Sequence, residues 1–88
     1  MNTVSNQTAK VSRKAFRTIF KPASAFGGFE YKITTDGETA HVLERSPESN
    51  SFVIVLRERM ADIKGLLDRL EADGDPGRIA RYIDLRNA

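Results

Sequence analysis

Cysteine and tryptophan are absent from these 88 residues, and histidine occurs once, as His41. Without cysteine there is no disulfide, no thiolate metal site, no iron–sulfur cluster and no cysteine nucleophile. That usage fits a reducing compartment, so a cytoplasmic protein is expected. A single histidine also leaves zinc with a poor set of donors. No apolar run approaches the roughly 18 residues of a membrane-spanning helix; the longest, Phe52–Leu56, has the length of a strand. Gly27-Gly28 carries neither the Lys-Ser/Thr of a phosphate-binding loop nor the third glycine of a dinucleotide fingerprint. No Gly-x-Ser-x-Gly frames a serine nucleophile. Glu71, Asp73 and Asp75 alternate in a way that invites calcium, but a loop begun at Asp73 would put Arg78 where the glycine at its sixth position belongs. A non-enzyme without a cofactor is the expectation.

What is present is a division of charge. Residues 1–29 contain Lys10, Arg13, Lys14, Arg17 and Lys21 and no acid, so they carry +5, while residues 30–88 carry −3 and the whole chain +2. A basic arm on a mildly acidic body suits a polyanion. The same composition also suits a solubilising tail or, with its Ser and Thr, a transit peptide. Residues 1–22 are read as this arm, with 1–9 disordered, and 23–88 as one α+β domain, too small for a second core.

Residues 10–21 admit two conformations. Val11, Ala15, Phe16, Ile19 and Phe20 make one stripe of a helix, whereas Thr18-Ile19-Phe20 has strand propensity; the helix is slightly favoured. Pro22 ends either element.

Beyond it, Phe29, Tyr31 and Ile33 alternate with Glu30, Lys32 and Thr34, and Asp36-Gly37 marks a turn before Thr39–Glu44. A two-residue loop would pair Ile33 with Ala40 and Tyr31 with Val42, burying Phe29, Tyr31, Ile33, Ala40 and Val42 and wetting Lys32, His41 and Leu43. After the polar loop 46–51, Phe52–Leu56 reads as a central strand because both of its faces are apolar. Met60, Ile63, Leu67 and Leu70 recur at helical spacing over Met60–Ala72. Gly74 stops that helix and Asp75-Pro76 starts a short one, Asp75–Leu85. The expected fold is a three-stranded antiparallel sheet, four-stranded if residues 14–20 form a strand, with both helices packed on it. Its core is Phe29, Tyr31, Ile33, Val42, Phe52, Ile54, Leu56, Met60, Ile63, Leu67 and Leu70.

Five of the seven aromatics lie between residues 16 and 31 beside the arm, and basic and aromatic side chains interleaved on a sheet are how single-stranded nucleic acid is steered and stacked. The candidate binding residues are therefore Lys10, Arg13, Lys14, Arg17, Lys21 and Lys32, with Phe26, between Ala25 and Gly27, as an aromatic anchor. Arg45, Arg78 and Arg81 read as members of salt-linked faces, the last two beside Asp75 and Asp84.

In element order alone, helix, three strands and helix resembles double-stranded-RNA-binding domains, although Arg59-Met60-Ala61-Asp62 stands where that family has a basic cluster. Four strands and a helix resembles a known single-stranded-DNA-binding fold. A short chain without catalytic motifs is also similar to accessory proteins of mobile elements, including phage inhibitors of bacterial defence. The expected function is binding of nucleic acid or a nucleoprotein through the arm. The alternative is a phage-encoded inhibitor, of the anti-CRISPR type, that docks on an effector protein through the exposed hairpin face or the acidic C-terminal helices and could act through a homodimer formed at a free sheet edge.

Overall fold

A computed structural model describes residues 15–88. Four strands, β1 (Arg17–Phe20), β2 (Glu30–Thr35), β3 (Thr39–Arg45) and β4 (Val53–Arg59), precede two helices, α1 (Met60–Asp73) and α2 (Pro76–Asn87). The strands form one antiparallel sheet in the order β1-β2-β3-β4. The fold is α+β, with both helices following the sheet.

The fourth strand comes from the ambiguous segment. Arg17–Phe20 is a strand and not the favoured helix, because Thr18-Ile19-Phe20 suits a pleated edge and the outer side of β2 offers it a free ladder.

The β2–β3 hairpin has the predicted faces but a different register. Thr35 pairs with Ala40, Ile33 with Val42 and Tyr31 with Glu44, two residues away from the simplest loop. The cause is side-chain chemistry in the turn. Asp36 Oδ1 accepts the amides of Glu38 at 3.0 Å and Thr39 at 2.9 Å, and the Thr35 hydroxyl accepts the Gly37 amide and donates to the Thr39 carbonyl. A slip of two residues preserves which side chains face the core.

The largest correction concerns β4. The apolar run at its start is not central; β4 is an edge strand, with Val53 56% and Ile54 40% exposed. A bulge explains how one short run becomes apolar on both faces: the register steps between Val42 opposite Leu56 and Leu43 opposite Ile54. Val53, opposite Glu44, therefore lies on the helix side, and Ile54, beside Leu43, on the other. Phe52 also leaves the predicted core for that second face, where Lys32 and Arg45 lie over its ring.

One face of the sheet receives both helices. Tyr31, Ile33, Ala40, Val42 and Leu56 meet Ile63 and Leu70 of α1 and Ile79 and Ile83 of α2. Phe29, Met60 and Leu67 pack half-buried around them. β4 runs directly into α1, and the Met60 amide donates to the Glu38 carbonyl at 2.8 Å, tying the first turn of the helix to the hairpin where no side chain caps it. Gly74, at φ +64°, closes α1 with its amide on the Leu70 carbonyl. Asp75 then caps α2 through the Gly77 amide, with Pro76 in the first turn.

Candidate nucleic-acid interface

Among the described residues, no helix packs on the other face of the sheet. Strand alternation and the observed register place on it Thr18 of β1, Glu30, Lys32 and Thr34 of β2, and Thr39, His41, Leu43 and Arg45 of β3, with Ile54 and Arg57 of β4. These side chains are half-buried by one another or exposed, and none is closed off from solvent.

Two aromatic stations stand on this face. At one, Phe16 just before β1 stacks on His41, with ring centroids 4.2 Å apart and planes within 10°. Arg57 is the register partner of His41 on β4. Burial, and then the Arg57 charge, hold the imidazole pKa below its usual 6.5, so the ring is neutral at pH 7. At the other station the Lys32 ammonium sits 4.5 Å from the Phe52 ring centroid and the Arg45 guanidinium 5.8 Å from it. Arg45 is also held by Glu30, its partner in the hairpin, and by the Ser49 carbonyl. Four residues of β3 separate His41 from Arg45, so the stations are about 13 Å apart at the rise of a strand. Four-stranded sheets that stack two or three bases work on this scale.

The charge on the face is one-sided. Of its strand residues Lys32, Arg45, Arg57 and Arg59 are basic and Glu30 is acidic; Arg59 turns aside to Asp62, and the Asp36 charge in the turn also acts on His41. Arg57 makes no ion pair among the described residues and is exposed.

The sequence-predicted candidates are dispersed. Lys10, Arg13 and Lys14 lie outside the described residues. Arg17 is exposed on β1 opposite Thr35, toward the helix side of that outer strand. Lys21 begins the bend to β2, beside Pro22 and near Glu30 and Tyr31. Phe26 is 50% exposed, bridged to Phe29 by paired backbone hydrogen bonds. Its ring covers the start of α2 so closely that a Cβ on Gly77 would come within 3.1 Å of it. Of the four that are described, Lys32 alone joins the stations on the open face. Sequence reasoning missed Phe52, Arg57, Phe16 and His41 as parts of this surface, and took Arg45 only as a salt-linked residue. Alternation within the hairpin could have grouped Lys32, His41 and Arg45, but nothing local shows that Phe52 joins them.

Other polar groups serve the fold. Glu58, whose side chain is 6% exposed, accepts from the Tyr82 hydroxyl at 3.1 Å and from Arg86 Nε at 3.3 Å, with Arg86 Nη2 ion-paired at 3.0 Å, clamping β4 to α2. Asp73 accepts from Arg78 at 2.6 Å and from the Asp75 amide, and these bonds hold its carboxyl below the usual range. The salt partner of Arg78 is thus Asp73 and not Asp75. Among the described residues no three His, Cys, Asp or Glu side chains group as a metal ion would require, and no helix is long and apolar enough to cross a membrane.

A search of family models, of curated proteins and of solved structures finds no match to this chain.

Proposed function

We propose that this is a non-catalytic protein that binds single-stranded nucleic acid across the open face of its sheet. The observation that carries the reading is the Lys32–Phe52–Arg45 cluster, placed on the same uncovered face as the Phe16–His41 stack and Arg57. Aromatic rings offer bases a stacking surface whatever the sequence, and the cations beside them meet phosphates. Phe16, between Lys14 and Arg17 of the basic arm, stacks on His41 of this same face. In this reading Lys10, Arg13 and Lys14 add electrostatic reach, while Arg17, on the helix side of β1, and Lys21 and Phe26, beyond the end of that strand, have a lesser part. A single strand is favoured over a duplex because the platform is a broad sheet with stacking stations, and among the described residues no helix or ribbon projects from it as a major-groove reader would require.

The test is a fluorescence-anisotropy titration against short single- and double-stranded DNA and RNA at two salt concentrations. The reading expects preference for single strands, weakening with salt by about 0.7 log units of affinity per log unit of salt for each cation engaged. It also expects a clear loss of affinity in Phe52→Ala with the fold intact. Equal binding by wild type and by the double variant Lys32→Ala/Phe52→Ala would remove the open face from consideration.

A second reading, an inhibitor docking on a protein of a bacterial defence complex, is favoured by a different surface. Between α1 and α2 a groove of about 320 Å³ has Leu66, Tyr82 and Leu85 along it and Arg69 and Arg81 at its rim. Binding to an effector that survives Phe52→Ala and Lys32→Ala but fails on Leu85→Lys would favour it.

A further inference from the structure

The groove between the helices has a composition that the fold itself does not require. Gly65, Leu66 and Arg69 of α1 face Arg81, Tyr82 and Leu85 of α2 across it, with Arg78 beside them. Steps of one and three residues place each set on one side of its helix, turned away from the buried Ile63, Leu70, Ile79 and Ile83. The charge there has one sign. Arg78 is held by Asp73, but Arg69 and Arg81 are exposed and make no ion pair among the described residues, and no described acid lines the groove.

Gly65 is the residue that packing leaves without a reason. It lies inside α1, where glycine weakens a helix relative to alanine, and its backbone is not left-handed. A Cβ built on it would meet nothing within 4 Å, so neither the sheet nor α2 demands its absence. What the missing side chain provides is bare helix backbone in the wall of the groove, open to close approach from outside.

We infer that this groove receives an acidic amphipathic helix of a partner protein, which crosses α1 at Gly65, sets carboxylates on Arg69 and Arg81, and lays aliphatic side chains on Leu66 and Leu85. The walls are helices whose backbone groups are bonded internally, so they offer no ladder to an extended peptide. The occupant must satisfy its own backbone, as a helix does. From Arg78 to Leu85 the lining runs about 10 Å at the rise of a helix, which matches two turns of a guest. Helix axes pack about 8–10 Å apart, and the short end of that range needs a small residue at the crossing. Stacked bases fit less well. Leu66 and Leu85 are aliphatic, and Tyr82 already holds Glu58 by its hydroxyl and Arg86 at 6.0 Å from its ring centroid. The inference rests on the reading of this chain as a docking protein, whose partner it describes chemically, and is independent of the open face.

The probe is a library of displayed random peptides of about 15 residues, long enough to form a helix. Because the selection uses no effector, its result stands or falls separately from docking on a defence complex. Wild type is expected to enrich peptides in which Asp or Glu flanks aliphatic residues three and four positions apart. Affinity for a selected peptide, read by anisotropy, should fall about tenfold or more in Arg69→Glu/Arg81→Glu and survive Phe52→Ala. Gly65 gives a readout that a purely structural residue would not. Gly65→Ala should raise the thermal midpoint by about 4–8 °C while weakening the peptide, and Gly65→Leu should abolish binding with the circular dichroism unchanged. Selection of no peptide, or of peptides without acids, would overturn the inference, as would binding left intact in Arg69→Glu/Arg81→Glu or in Gly65→Leu. So would a groove whose arginines are needed for single-stranded DNA or RNA while no acidic peptide binds.

Discussion

The two faces of the sheet are built from the same strands, often from adjacent residues, and have opposite fates. Ile33 is fully buried under the helices while its neighbour Lys32 reaches across the open face to Phe52. Val42 is sealed in the core while His41 stacks with Phe16 in contact with water. In a strand one residue of offset decides which of these a side chain experiences. Stability is thereby assigned to one parity of the sequence and the proposed recognition to the other, so the two should respond separately to substitution.

The sharpest way to break this comparison is to truncate adjacent residues. Ile33→Ala removes a fully buried side chain and is expected to cost about 2–5 kcal/mol, enough to unfold much of so small a domain. Lys32→Ala, one residue away, should stay within about 0.5 kcal/mol of wild type. Urea melts of the two proteins make the comparison. Similar destabilisation by both would mean that the open face is not free of structural duty.

The covered face also has a signature in alkali. Burial of Tyr31 and then its bond to Glu44 push the phenol up to about 12 from its usual 10. The folded chain therefore holds this proton more tightly than the unfolded chain does. The associated stability is whole below pH 10 and is lost as pH climbs from 10 to 12, an effect on the order of 2 kcal/mol. Tyr31→Phe should remove most of that slope from a series of thermal melts. Tyr82, which burial and Glu58 also raise, contributes in the same direction.

How much of this division was legible before the fold was known depends on the range of the signal. Alternation over residues 29–42 assigned the hairpin faces correctly, because parity survives a slip of two residues, but the Asp36 carboxylate and Thr35 hydroxyl set a register that no loop-length rule contains. The uniform apolarity of Phe52–Leu56 suggested a central strand, since burial on both sides is the usual cause; here a bulge turns an edge strand through its own alternation. The Glu58 clamp joins residues 24 and 28 positions apart, and the Phe52 station joins three separate segments. Such convergence is a property of topology and leaves no periodic trace.

A smaller effect tests the hinge between the helices that cover the buried face. Gly74 occupies left-handed backbone at φ +64°, so Gly74→Ala is expected to cost about 1 kcal/mol through the strain of a Cβ there. Hydrogen exchange should locate the loss at the end of α1 and the start of α2, leaving the hairpin amides as protected as before. Loss spread evenly over the sheet would show that the open face relies on the helices more than the half-buried packing of its own side chains suggests.

The smallest expected change is on the open face, where it should be visible in binding and nearly silent in stability. Arg57→Ala removes an exposed cation and should lower the salt slope of single-strand binding by about 0.7, with the thermal midpoint almost unmoved. His41 adds a dependence on pH with a defined sign. Because its pKa lies below 6.5, acidification through that range turns a neutral ring into a cation on the proposed binding surface, so affinity for a single strand should rise as pH falls. The fold responds oppositely: the contribution of neutral His41 is present above pH 6.5 and is lost as pH falls through the folded pKa. His41→Gln should abolish both trends together, while Arg57→Ala, by relieving the charge that helps to depress the imidazole, should move the rise in affinity to higher pH. If affinity were independent of pH in wild type and in both variants, the strand would not pass over His41, and the Phe52 station would have to hold it alone.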